Sequence, residues 1–119
     1  MKFLLTYQGD TSVPPTPEKL AALDKYSQEM AAKGVLLMTG GLVRPDHGTK
    51  LKYEAGKLTV TDGPFPETKE LIDGFALVQC GSRQEAVELA HEFMSIAGDG
   101  LGEVLQVFDA ADIPPPSRG

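Results

Sequence analysis

FALVQCGSRQEAVELAHEFMSIA, residues 75–97, changes its period part-way along, and that change decides the fold. Phe75 to Cys80 is a short apolar run of strand length. Ser82 and Glu85 then form an S-x-x-E capping box, in which a hydroxyl and a carboxylate satisfy free backbone N–H groups at a helix start. Behind it Ala86, Leu89, Ala90, Phe93 and Ala97 recur at three-to-four spacing on one helix face. Downstream, residues 98–102 read as a flexible glycine-rich turn and residues 103–108 as a closing strand. Residues 75–108 are therefore a β-α-β unit.

A second such unit precedes it. Phe3, Leu5 and Tyr7 alternate with Leu4, Thr6 and Gln8, the period-2 pattern of a strand. After a loop over 9–15, Thr16-Pro17 is a helix start, because threonine caps free N–H groups and proline suits the first turn. Leu20, Leu23, Tyr26 or Ser27, and Met30 share one face, and Lys33-Gly34 closes the helix. Residues 35–42 form the next strand, ending at Gly40-Gly41. Residues 51–54 and 58–61 then read as a hairpin about Ala55-Gly56. A two-residue loop sets Tyr53 opposite Leu58 and Leu51 opposite Val60, whereas a three-residue loop with a bulge fits equally, so the register stays open.

The order is β-α-β, hairpin, β-α-β. Right-handed crossovers place both helices on the same side of a mostly antiparallel sheet, which predicts an α+β, ferredoxin-like sandwich. Residues 1–108 form one domain. The tail, residues 109–119, carries Pro114-Pro115-Pro116 and is expected to be extended and poorly ordered, or packed on a neighbouring chain.

Two helices cover only one face of a sheet, yet these strands are apolar on both. Val35 and Leu37 alternate with Leu36, Met38 and Leu42; Phe75 and Leu77 with Ala76, Val78 and Cys80; Val104 and Phe108 with Leu105 and Val107. A one-sided antiparallel sheet reads instead as apolar inside and polar outside. About six large apolar side chains are left facing water, and burying them is worth at most ~9–18 kcal/mol at ~1.5–3 kcal/mol each. The expected solution is a homodimer packed through the open sheet face; the monomer alternative requires the hairpin and the tail to fold over that face.

Composition bounds the rest. The chain has 119 residues, 41% of them hydrophobic and 24% charged, as in an ordinary globular domain. No apolar run approaches membrane-spanning length, and the N-terminus is too quickly polar for a secretory signal, so a cytoplasmic protein without a membrane partner is expected. The net charge is −6, with +2 in residues 1–60 and −8 in residues 61–119. A nucleic-acid partner is not expected, because that acidic half opposes phosphate and the basic residues Lys50, Lys52 and Lys57 are few. One cysteine and two distant histidines offer no zinc spacing, so neither a metal nor a cofactor is expected. Cys80 reads as a small buried hydrophobe. Gly98-Asp99-Gly100-Leu101-Gly102 is no phosphate loop, because it precedes a strand instead of opening a helix.

The residues that can carry chemistry are few. Asp62-Gly63-Pro64-Phe65-Pro66-Glu67-Thr68-Lys69-Glu70 restricts its own backbone and thereby fixes where its carboxylates point. It is either a rigid turn closed by Asp62 or a site with Asp62 as general base, aided by Glu67 or His47. His47 has a side chain that titrates near neutrality, although its polar loop also fits a plain surface residue. Arg44 and Lys69 can hold an anionic group or serve as surface ion-pair partners. Tyr7, at the end of the first strand, can offer its hydroxyl to a cleft or simply close the core.

The run DGPFPETKE, residues 62–70, followed by Leu71-Ile72-Asp73-Gly74-Phe75, resembles the signature of the DGPF family within the YCII-related domains. The start MKFLL, the phrase GVLLMTGGL over 34–42 with Arg44-Pro45 after it, and residues 82–90 are similar too, so the resemblance spans residues 1–108. It implies a dimeric α+β barrel. It implies no single activity. Some members occur beside or fused to extracytoplasmic-function sigma factors, and a relative acts as a dehydrochlorinase on a chlorinated hydroxyquinol. Other YCII-related proteins carry a His–Asp pair, suggested as an active site, with the His on the first helix. Residues 17–33 here contain no histidine, since the two histidines are His47 and His91. The resulting expectation is a small-molecule-binding or catalytic dimer with a site near the 62–70 loop and a small aromatic or carboxylate ligand. The alternative is a non-catalytic sensor or accessory module in transcriptional regulation.

Overall fold

The computed structural model describes residues 1–9, 15–42, 47–64 and 73–109. The elements run β1 (Lys2–Gly9), α1 (Pro17–Ala32), β2 (Leu36–Gly41), β3 (Thr49–Glu54), β4 (Lys57–Asp62), β5 (Gly74–Gln79), α2 (Arg83–Ala97) and β6 (Gly100–Val107). Four strands form one antiparallel sheet in the order β2-β5-β1-β6, and β3 and β4 form a separate hairpin. This is the expected α+β architecture of two helices on a mostly antiparallel sheet.

Both helices start where side-chain chemistry places them. The Thr16 hydroxyl accepts from the Lys19 N–H at 3.1 Å, with proline in the first turn behind it. The Ser82 hydroxyl accepts from the Glu85 N–H at 3.1 Å. The Glu85 carboxylate reaches back one residue further than a capping box does, to the Gly81 N–H at 2.9 Å. Gly34 ends α1 with φ +75°, a left-handed conformation suited to glycine.

Strand register divides the sheet residues between two faces. Phe3, Leu5, Val78 and, from α2, Ala86 make the buried core, with Leu36, Ala76, Leu89, Ala90 and Val104 packed around it. Arg83 completes the cover, its guanidinium 5.7 Å from the centre of the Phe3 ring. Leu4 pairs with Leu77 on one side and Leu105 on the other, so these three lie together on the opposite face. Met38 joins them through its pairing with Leu77.

Two details differ from simple alternation. A register shift between Leu36 and Met38 turns these residues to opposite faces, where an unbroken period of two keeps them together. Strand β6 also begins at Gly100, inside the stretch read from sequence as a turn, and pairs Gly100 with Gly9. The glycines at 100 and 102 are strand residues because the backbone of β1 passes so close. A Cβ on Gly100 would lie 2.5 Å from the Gln8 carbonyl oxygen, and one on Gly102 2.8 Å from that of Thr6.

The hairpin resolves its own register. Leu51 pairs with Val60 and Tyr53 with Leu58 across a two-residue loop, Ala55-Gly56, with φ of +50° and +77°. Those angles twist the chain in the sense that flanking strands require. The tail residues 110–119 lie outside the described residues.

Candidate functional site

Gly9, Gly41, Gly74 and Gly100 bring four strand ends together at one end of the sheet. Glycine is required there by Tyr7, whose ring lies against two of them. A Cβ on Gly9 would sit 2.8 Å from the Tyr7 ring, and one on Gly100 equally close. The ring meets Phe93 of α2 edge to face, with centroids 5.4 Å apart. Its hydroxyl donates to the carbonyls of Gly98 and Asp99, at 3.0 and 3.1 Å, tying β1 to the end of α2. Burial, then the nearby carboxylates of Asp73 and Asp99, raises the Tyr7 pKa, so the phenol stays protonated.

Asp73 staples three strands at this end. Its N–H donates to the Tyr7 carbonyl at 2.8 Å, and its carbonyl accepts from the Leu42 N–H at 2.7 Å. Its carboxylate accepts from the Gly9 N–H at 2.6 Å. Lys19, in the first turns of α1, extends its ammonium over Gly98, 3.2 Å from where a Cβ would project. Gly98 follows the last turn of α2, which has no basic residue of its own, so Lys19 places a cation at the helix's negative end. Among the described residues it has no ion-pair partner.

Behind these groups α1 stands off the sheet. Met30 is the one buried residue of the helix, and Leu20 remains 53% exposed. The gap between α1, α2 and the sheet is a cleft of about 1310 Å³. Its walls are apolar, with Leu5, Leu23, Met30, Phe93 and Met94 prominent, and Tyr7, Asp73 and Lys19 lie at its polar end. Tyr26 bridges the helices alongside, its hydroxyl donating to the Leu89 carbonyl at 3.2 Å. Burial first, then the charge of Glu92 and a hydrogen bond to it, pushes the Tyr26 pKa up to about 12.

The family follows from the extent of the match. The model of the YCII-related domain covers residues 1–111. The chain belongs to the YCII-related domain family. An uncharacterized protein of Rhizobium meliloti (strain 1021) is similar, with 36% identity over 70 residues, 59% of this chain and 56% of the relative. The chain thus matches little more than half of that relative's length.

In this YCII-related domain the sequence candidates are scattered. Tyr7 is in the cleft, with its hydroxyl already engaged by two carbonyls. Asp62 lies at the root of the hairpin, exposed, its carboxylate accepting from the Thr49 hydroxyl at 2.7 Å. His47 is exposed just before β3. Neither Asp62 nor His47 lines the cleft. Arg44, Glu67 and Lys69 lie outside the described residues. Helix α1 places Lys19 and Ser27 on the cleft, and it carries no histidine for the His–Asp pair of other YCII-related proteins.

Sequence reasoning did not single out Asp73 or Lys19. Asp73 had one signal, an acidic residue immediately before an apolar strand, but the N–H it reaches belongs to a strand 64 residues away. Among the described residues no group of three or more His, Cys, Asp or Glu could hold a metal, and no helix is long and apolar enough to cross a membrane.

Proposed function

We propose that this YCII-related domain is a homodimeric small-molecule-binding protein, and that the ligand occupies the cleft between α1 and the sheet. The cleft itself supports this reading most: a large apolar space whose one end carries the Tyr7 hydroxyl, the Asp73 and Asp99 carboxylates and the Lys19 ammonium. Binding sites have that composition, with apolar walls for affinity and a few polar groups for orientation. An aromatic or aliphatic carboxylate fits it, its apolar body against Leu23 and Phe93 and its charge at Lys19.

Binding without chemistry is the favoured form. The exposed carboxylate of Asp62 is held by Thr49 and does not line the cleft. A catalytic role for Asp62 requires that a ligand reach the root of the hairpin. A sensor or accessory module in transcriptional control requires only an occupied cleft. Dimerisation through the open sheet face is supported by Met38, Leu101 and Leu105, which are 60%, 58% and 46% exposed.

Thermal unfolding with a panel of phenols and carboxylates tests the binding reading. A true ligand at one hundred times its Kd stabilises the fold by ~2.7 kcal/mol. Leu23→Trp, which projects a larger side chain into the cleft, is expected to reduce that gain while the unliganded protein stays folded. If no compound stabilises the protein, or if Leu23→Trp leaves the gain intact, the cleft is not the site.

A further inference from the structure

We infer that the β3–β4 hairpin is a dimerisation arm whose apolar face docks on a second copy of this chain. The inference rests on the homodimer proposed above and adds a contact that the open sheet alone does not contain. Register puts Leu51, Tyr53, Leu58 and Val60 on one side of the hairpin, and they are 67%, 70%, 57% and 55% exposed. Lys50, Lys52, Glu54 and Lys57 occupy the other side, with Thr59 and Thr61. A hairpin with one oily face and one charged face is patterned to cover something, and nothing among the described residues of its own subunit lies beneath it.

Area identifies the occupant as another copy. A stable interface takes about 800 Å² from each partner, whereas Met38, Leu101 and Leu105 together expose only on the order of 300 Å². The four hairpin side chains add on the order of 450 Å², which brings one subunit's apolar surface to the size a dimer needs. The hairpin's charged side, three lysines against one glutamate, faces away from this contact and keeps the outer surface of the arm polar. Thr49 and Asp62 share the apolar side of the hairpin, so the Asp62 carboxylate stands at the margin of this contact.

The chain contains no tryptophan, so Tyr53→Trp is a single reporter on the arm. Across a dilution series followed by sedimentation, its emission is expected to move to shorter wavelength as dimer forms. Leu58→Lys is expected to weaken the dimer at least tenfold with an unchanged circular dichroism spectrum, and Leu105→Lys to do the same from the sheet face. If the Tyr53→Trp variant dimerises and its indole emission stays at the water-exposed wavelength, the arm is overturned but not the sheet-face dimer. Loss of the dimer with Leu105→Lys but not with Leu58→Lys has the same meaning. A wild-type chain that sediments as a monomer at all concentrations overturns both. Should Leu58→Lys unfold, the tryptophan shift alone decides.

Discussion

Phe3 and Tyr53 are both aromatic residues in antiparallel strands with alternating patterns, yet Phe3 is 0% exposed and Tyr53 70%. The difference is the layer above them. Phe3 sits under Ala86 of α2 and the guanidinium of Arg83, whereas the face bearing Tyr53 meets no element of its own subunit among the described residues. Alternation therefore says which side of a strand is apolar, and it says nothing about what covers that side. One region of this molecule is folded by its own helices, and the other presents the same type of surface unpartnered.

That contrast can be broken most directly by truncation. Phe3→Ala is expected to cost about 3–5 kcal/mol, the loss of a fully buried aromatic side chain with its cavity left behind. Tyr53→Ala is expected to stay within about 0.5 kcal/mol in a dilute, monomeric sample, as a surface substitution does. Urea unfolding of the two variants at low concentration measures the gap; equal losses would show that the hairpin is covered within its own subunit.

Glycines sharpen the comparison at a smaller scale. Gly100→Ala introduces a Cβ against backbone, 2.5 Å from the Gln8 oxygen, and is expected to cost about 1–3 kcal/mol by overpacking. Gly56→Ala meets no atom within 4 Å and suffers only from its φ of +77°, about 1 kcal/mol. Chemical denaturation of both variants ranks the two costs. Space is the constraint in the sheet, and backbone conformation is the constraint in the hairpin.

The seam between the helices responds to pH. Tyr26 has a pKa raised in the folded state from the ordinary 10.0 to about 12, so its stabilising contribution is complete below pH 10 and disappears as pH rises through about 12. Thermal unfolding from pH 8 to 12 should show a steeper alkaline decline in the wild type than in Tyr26→Phe. Identical profiles would mean that the phenol of Tyr26 is not held by Leu89 and Glu92.

Much of the fold was legible because its signals are local. Thr16-Pro17 and Ser82 announce helices through hydroxyls that cap N–H groups within the next three residues, and no distant partner is needed. Ala55-Gly56 marked the hairpin loop, although its length was settled only by two positive φ angles. The candidate site was less legible. Asp62 drew notice because prolines and a glycine surround it in sequence, yet the groups that gather at the cleft are Tyr7, Lys19 and Asp73, drawn from β1, α1 and the start of β5. The shift at Leu37 and the early start of β6 were hidden for the same reason: each depends on how closely a neighbouring strand passes.

Element types, helix caps and the surplus of apolar strand surface were determined by the sequence itself, because hydrogen bonds within a few residues and side-chain periodicity carry them. Only the tertiary structure decided which apolar face was covered, how far α1 stands from the sheet, and which polar groups meet at the mouth of the cleft. Those outcomes depend on the packing of segments dozens of residues apart, and no local pattern encodes that distance.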